Sequence, residues 1–430
     1  MSATPRVETH TRWNFAVIVL DASFFMAGWA FVDPTIVMPA LVASLTDSKV
    51  VIGLMGTIQR AGWLLPQLLG ASFVLHRARK KPFVFYPCLV SRLPFYALAA
   101  VMLSPWAAEH TDALLGMLIV GYALFCFGDG ITGVPWHDII ARTIPATMRG
   151  RFFGAMQFTT GLLAIGAARV VTHVLAESGR PFPSNYGFLF CMLCVGLTLS
   201  TLCLGLIREP KSTAVGDAQS LLAILRSIPR TLREYPRLTN VIICQNLCGL
   251  AGLAVQFYAL YAYKRLGLPT ATCGTFITAS VTGAVGCSFL WAYLSDRKGS
   301  SRVIRGVAIL LFLVPAAALA IPPLVRAAGL TSAMPYLYAV VFLLSGATGG
   351  GWWMGFTNYT MEISPEEKRP LFLGLQATLS FPTVIWPYVG GELLGVISYQ
   401  ALFGIVMLTG LISAVYVRRL PEPRRVREAT

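Results

Sequence analysis

Four ionisable residues stand deep inside long apolar stretches of this chain: Asp33, Arg60, Asp129 and Arg169. An ionised side chain at that depth costs several kcal/mol (about 2.5–3.5 on insertion scales) and marks a pathway for ions, protons or solute by default. From the apolar spans set out below, Arg60 and Asp129 lie within about 3 Å of the midplane, at about 1.5 Å per residue. Asp33 and Arg169 lie roughly 8 Å to one side by the same count. Two acids and two bases at matched depths predict the pairs Asp129–Arg60 and Asp33–Arg169. The chemistry on offer is proton binding: desolvation favours a neutral carboxyl, a nearby guanidinium favours an ionised one, and a solute can tip the balance. The alternative for each residue is a structural ion pair that locks two helices together. That alternative is stronger for Arg92, and Asp21 is expected near an interface.

These residues need helices to carry them. The chain has 430 residues, 56% hydrophobic and 12% charged, about half the charged fraction of a soluble domain. Apolar segments recur over 14–41, 51–75, 83–103, 112–141, 151–175, 185–207, 237–263, 271–295, 303–325, 334–361, 370–391 and 399–417. Each can cross about 30 Å of hydrocarbon as a helix, which satisfies its own backbone polar groups. The strict alternation of a lipid-facing barrel is absent. The expectation is an all-α membrane protein with twelve transmembrane helices, in bundles 1–207 and 237–430. The linker 208–236 carries an amphipathic surface helix marked by Leu221, Leu222, Leu225, Ile228 and Leu232.

The net charge of +15 follows topology rather than a nucleic-acid partner. Arg60, Arg92 and Arg169 lie within apolar stretches, and Lys49, Arg180, Lys264, Arg265 and Arg326 lie in alternate loops. The remaining basic residues gather at the ends and in every second loop, which puts both termini in the cytoplasm by the positive-inside rule. The first apolar stretch is too long for a cleaved signal and reads as an uncleaved start. Cys191-x-x-Cys194 and Cys244-x-x-x-Cys248 have no neighbouring His and read as packing residues. No cofactor, metal or enzymatic chemistry is expected.

The halves repeat. Pro145, Arg149 and Gly154 have the spacing of Pro365, Arg369 and Gly374, shifted by 220 residues, with Asp138 and Asn358 seven residues before each Pro. Ala71 to Pro82 aligns with Ala292 to Val303. The loop Ala292-Tyr-Leu-Ser-Asp296-Arg297-Lys298-Gly299-Ser-Ser-Arg302 resembles the signature loop of the major facilitator superfamily. The stretch from Asp138 through Arg142 to Arg149-Gly150-Arg151 is similar to that family's pattern too, as is Ile207-Arg208-Glu209-Pro210. The first-half loop departs from the signature, with Leu75 at the Asp position, leaving His76, Arg77, Arg79, Lys80 and Lys81. The Arg-x-x-Gln-Gly stretch of helix 4 and the Gly-Pro pair of antiporter helix 5 are also missing.

The resemblance implies two parallel six-helix repeats that rock about a midplane site. It implies a cavity lined by helices 1, 2, 4 and 5 of the first half. It also implies that Asp296 caps helix 11 and pairs with basic groups, and that Arg77, Asp138, Arg142, Arg149, Arg297, Gly299, Arg302 and Arg369 form cytoplasmic gates. In place of the degenerate latch, Asp138 is expected to partner the basic cluster His76, Arg77, Arg79, Lys80 and Lys81.

Helix 4 shows Tyr122, Cys126, Asp129 and Trp136 on one stripe. The second half has no mid-membrane charge and offers Gln245, Gly249, Gly252 and Gln256 on helix 7, and Gly349-Gly350-Gly351-Trp352-Trp353 on helix 10. Amides and tryptophans suit a polar organic solute; the charges of the first half suit protons. The reading is a monomeric solute:proton symporter of the bacterial inner membrane. The rivals are an exporter working by antiport and a non-transporting sensor or assembly protein.

Overall fold

The computed structural model describes residues 10–74, 79–145, 148–176, 180–209, 221–365 and 368–423, with the side chains of 67–74, 221–227 and 369–370 left aside. These residues contain helices and no strand. Ten of the helical segments are long and apolar enough to cross a membrane. The chain divides into two compact units, one of Met1–Thr46 and Ile58–Ala218, the other of Asp47–Thr57 and Gln219–Thr430.

The first unit holds α1 (Thr11–Phe31), α2 (Val37–Leu45), most of α3 (Lys49–Val74), α4 (Pro82–Leu103), α5 (Trp106–Glu109), α6 (Thr111–Gly130), α7 (Gly133–Thr143), α8 (Arg149–Val174) and α9 (Ser184–Leu206). The segment expected as one helix over 14–41 is interrupted. Pro34 cannot donate a helical hydrogen bond, and the chain turns at Asp33, whose carbonyl accepts from the N–H groups of Ile36, Val37 and Met38. The helix expected over 112–141 likewise divides at Ile131 and Thr132 into α6 and α7. The close approach of α3 to α6 depends on Gly130. A methyl group there would stand 1.9 Å from the Gly62 carbonyl oxygen.

The second unit holds α10 (Leu221–Glu234), α11 (Pro236–Gly249), α12 (Phe257–Lys264), α13 (Thr272–Lys298), α14 (Ser300–Ala327), α15 (Met334–Ile363), α16 (Arg369–Leu379), α17 (Trp386–Val396) and α18 (Tyr399–Tyr416). The amphipathic pattern over 221–232 does form a helix, and Ile228 and Leu232 pack against the core of this unit. Two segments expected as continuous helices are broken. A 3-10 turn over Leu250–Leu253 separates α11 from α12, and another over Phe381–Val384 separates α16 from α17. Gly249 and Gly252 weaken the first, and Pro382 removes a donor from the second. By contrast, α15 runs unbroken through its glycine run.

The first turns of α3 pack within the second unit. Lys49 Nζ donates to the Leu394 carbonyl at 2.7 Å, Thr57 Oγ1 accepts from the Tyr388 N–H at 3.1 Å, and Asp47 meets Lys264 at 3.2 Å.

Candidate functional site

Neither expected ion pair forms. Asp33 Oδ1 accepts from the Thr35 N–H at 2.8 Å and from Thr35 Oγ1 at 2.7 Å, closing the turn between α1 and α2. A short carboxylate after a helix end, two residues before an available N–H, satisfies its own backbone first. Arg169 lies exposed on α8. No ion pair among the described residues joins Asp129 to Arg60 either. Gly62 is the residue that α3 lays against Cys126 and Gly130. Two residues on a helix are about 200° apart, so Arg60 points elsewhere.

The buried charges instead gather around a residue expected to be structural, Arg92 of α4. It is 2% exposed. Its Nη1 donates to the Leu197 carbonyl at 2.6 Å and to Thr201 Oγ1; its Nη2 donates to Ser200 Oγ at 3.2 Å. Ser200 Oγ in turn donates a hydrogen bond to Asp21 Oδ1 at 2.7 Å, and Trp136 Nε1 donates to Asp21 Oδ2 at 2.9 Å. Asp21, expected near an interface, is therefore a buried member of a network joining α1, α4, α7 and α9. Asp129 stands beside it. Its carboxylate accepts from Cys88 Sγ at 3.7 Å, one helical turn before Arg92, and Arg92 is the cation whose charge acts on both acids. Two carboxyl groups thus share one guanidinium.

The helix 4 stripe is corrected with them. Tyr122 and Cys126 are fully buried in the first unit, and the stripe faces other helices of that unit. The signal that could have found Arg92 was present: Ser91 and Arg92 interrupt the apolar α4, as Ser200 and Thr201 interrupt α9, and polar residues within one bundle seek each other.

In the second unit, Gln245 Oε1 accepts from Gln376 Nε2 at 2.7 Å, and Gln376, missed in the sequence, also donates to the Phe356 carbonyl. Asn246 Nδ2 bridges the break in the facing helix by donating to the Leu379 carbonyl at 3.0 Å. Gln256 is 1% exposed, packs where a side chain on Gly56 would stand, and leaves its Oε1 without a partner. Trp352 packs against Phe356 in the core, whereas Trp353 is 69% exposed. The two tryptophans therefore do not form one surface.

The loops before α4 and α14 resolve into two carboxylate clamps. In the first unit, the Glu209 carboxylate accepts the backbone N–H groups of Lys80 and Lys81 at 2.6 and 2.8 Å, capping α4. Lys81 Nζ returns to the Gly205 and Ile207 carbonyls at the end of α9. In the second unit, Glu422 Oε2 accepts from the Ser301 N–H and Oγ at the start of α14. Gly299, at φ +87°, leaves room for it; a side chain there would overlap the Glu422 carboxylate. Glu362 Oε2 accepts from Ser300 Oγ at 2.6 Å.

Asp138 pairs with Arg142 at 2.7 Å and also acts on Lys80. Burial lowers the Lys80 ammonium from its ordinary value; Asp138 raises it, Arg142 lowers it further and Glu209 raises it. Arg149 Nη2 donates to the Ala141 carbonyl at 3.0 Å, tying the start of α8 to α7. Asp296 and Arg297 occupy the exposed last turn of α13, with Arg297 over the Tyr293 ring at 5.8 Å, and Arg302 is exposed on α14. Arg77 and the Arg369 side chain lie outside the described residues.

Residues 19–334 match the Major Facilitator Superfamily, and the chain belongs to it. It is a multi-pass membrane transporter, not an enzyme. No curated protein matches significantly by sequence. Among solved structures, the chain resembles a mutant of the nucleoside transporter NupG with a TM-score of 0.69 and 14% identity, over 95% of this chain and 99% of that one. It also resembles a bacterial homologue of the iron transporter ferroportin in an inward-facing state, with a TM-score of 0.68, 14% identity and coverage of 95% and 98%. A D-xylose-proton symporter follows at 0.66, 14% identity and coverage of 95% and 98%. At such identities the likeness is one of fold.

Proposed function

We propose that the chain is a proton-coupled symporter for a small polar or organic solute, working by alternating access in a bacterial inner membrane. Twelve crossings, cytoplasmic termini and a monomeric working unit belong to the same reading. The observation that carries it is the set of buried Asp21 and Arg92 with half-buried Asp129 beside them. Two carboxyl groups with one cation between them hold an unbalanced charge unless one binds a proton, and unbalanced buried charge is costly. A proton is the smallest ligand that corrects it, and its gain or loss changes which helix arrangement is favoured. A solved relative in fold is itself a proton symporter, which is consistent with this reading.

The role of Asp33 shifts from paired carboxylate to turn former, so Asp129 is the first residue to neutralise. Purified protein in liposomes is offered a pool of labelled polar metabolites, with and without an inward proton gradient. The wild type should accumulate a component only with the gradient, and Asp129→Asn should lose that dependence. Equal gradient dependence in Asp129→Asn and Asp21→Asn would refute the coupling. An exporter would release, rather than accumulate, the same component under counterflow.

A further inference from the structure

A cavity of about 250 Å³ opens in the second unit where α10 gives way to α11. Two apolar spans end at its wall. Pro236 is the first residue of the span Pro236–Lys264, and Ile363 is the last of Thr331–Ile363. A cavity bounded by the ends of two spans lies where hydrocarbon meets the headgroup layer.

Its lining is divided by polarity. Leu238 and Phe372, both fully buried, form an apolar pit with Ile363. Tyr235 lines it as well, its ring set edge-on to Phe372 at 4.9 Å. Glu234 and Arg237 complete the lining, and both are exposed. The Glu234 charge is already met, because Lys368 Nζ stands 3.6 Å from its carboxylate while donating to Tyr235 Oη at 2.9 Å. Glu362 and Glu422, whose charges act with that of Arg237 on Tyr359, accept from Ser300 and Ser301. No ion pair among the described residues involves Arg230, Arg233 or Arg237. Arg230 and Arg233, about one turn apart on α10, are exposed and border a wider hollow that shares Glu234. An apolar pit is thus joined to a rim of uncompensated positive charge.

The amphipathic helix holds that rim in place. Ile228 and Leu232 pack on the core, Thr231 is buried, and Thr239 Oγ1 donates to the Leu232 carbonyl at 2.8 Å. An amphipathic helix lying free on a membrane buries its apolar face among acyl chains. Here α10 gives that face to the protein, and its arginines stand beside the cavity. The positive-inside rule asks only for basic residues in the loops at one end of the spans. It requires neither a cavity nor an apolar pit within it. The volume falls below the roughly 300–1,000 Å³ of pockets that take whole organic ligands, which suits a headgroup better than a transported solute.

We propose that this cavity binds the headgroup of an acidic phospholipid. Arg237 meets the phosphate, Arg230 and Arg233 add attraction beside it, and the first carbons of the lipid rest on Leu238, Ile363 and Phe372.

The test uses the full-length protein in detergent and a phosphatidylglycerol with a fluorescent acyl chain, followed by anisotropy. Phosphatidylcholine with the same chain and water-soluble glycerol phosphate, as competitor, are the comparison probes. Phosphatidylglycerol should bind saturably and more tightly than either. Arg233→Gln and Arg237→Gln should each weaken that binding roughly fivefold, the worth of one basic residue near an anionic surface. Ile363→Trp fills the pit, leaves every charge in place and should weaken binding as well. Arg302→Gln, at an exposed basic residue elsewhere in the same unit, should leave it unchanged. Equal binding of phosphatidylcholine, an equal loss in Arg302→Gln, or unchanged binding in Arg237→Gln or Ile363→Trp overturns the proposal. Glycerol phosphate binding as tightly as the lipid would assign the cavity to a free phosphate ester and overturn it too.

Discussion

Replacing Arg92 by Met should destabilise the first unit through the charges it leaves behind rather than the volume it removes. Arg92 makes three charge-assisted hydrogen bonds, to the Leu197 carbonyl, Thr201 and Ser200. At about 1.5 kcal/mol apiece these sum to about 4.5 kcal/mol, within the ~3–5 kcal/mol found when one partner of a buried ionic network is removed. Asp21→Asn alone should also destabilise, because it leaves Arg92 with neutral hydrogen-bond partners and Asp129 as its one remaining acid. The two effects meet at Ser200, which donates to Asp21 and accepts from Arg92. The double variant should therefore be less damaged than the sum of the two, by at least about 1 kcal/mol of coupling. Guanidinium unfolding in detergent micelles, followed by circular dichroism, measures all four corners of the cycle. Additivity to within about 0.5 kcal/mol would show that Arg92 and Asp21 do not share a network, and would refute the reasoning.

Other outcomes follow from the same geometry. Gly130→Ala places a methyl 1.9 Å from the Gly62 oxygen and should cost about 1–3 kcal/mol by overpacking. Gly154→Ala and Gly374→Ala meet open space and should change thermal unfolding little, despite their repeated positions. Glu209→Gln and Glu422→Gln each weaken a helix cap and should cost about 1–2 kcal/mol, read by the same denaturation. Burial lowers the Lys80 ammonium below its ordinary 10.5, so the unfolded chain binds the extra proton in the window just below that value. Stability should then rise with pH through that window, and Lys80→Met should remove this contribution to the slope.

Periodicity alone made the helices legible, because a segment must supply about twenty apolar residues to cross hydrocarbon. The expected span 185–207 and the observed α9, Ser184–Leu206, differ by a residue at each end. The interruptions were written in the chain as well, at Pro34, at Gly249 and Gly252, and at Pro382, but helices often carry such residues unbroken. Within this same chain, α4 continues through Pro87 and Pro94, and α14 through Pro315. At the break after α16 a neighbour takes up a carbonyl that the helix leaves free. Asn246 does so at Leu379.

The four mid-membrane charges with which the reading began show where sequence stops. Their presence in apolar stretches, and the expectation that they matter, came from residue type and depth. Their partners did not, since a partner depends on which way each helix is turned. A rotation of 200° over two residues separates Gly62, pressed on α6, from Arg60. A proline after Asp33 turns that carboxylate onto Thr35. Arg92 and Asp21, dismissed by depth and helix number, become the centre because α4 and α9 pack with Ser200 and Thr201 facing them. Composition determined that the chain lives in a membrane, and its repeats and signature loop pointed to the family. Only tertiary packing, which sets rotation and not merely depth, decided which charges meet and brought Phe25, Trp29 and Trp63 into one aromatic cluster.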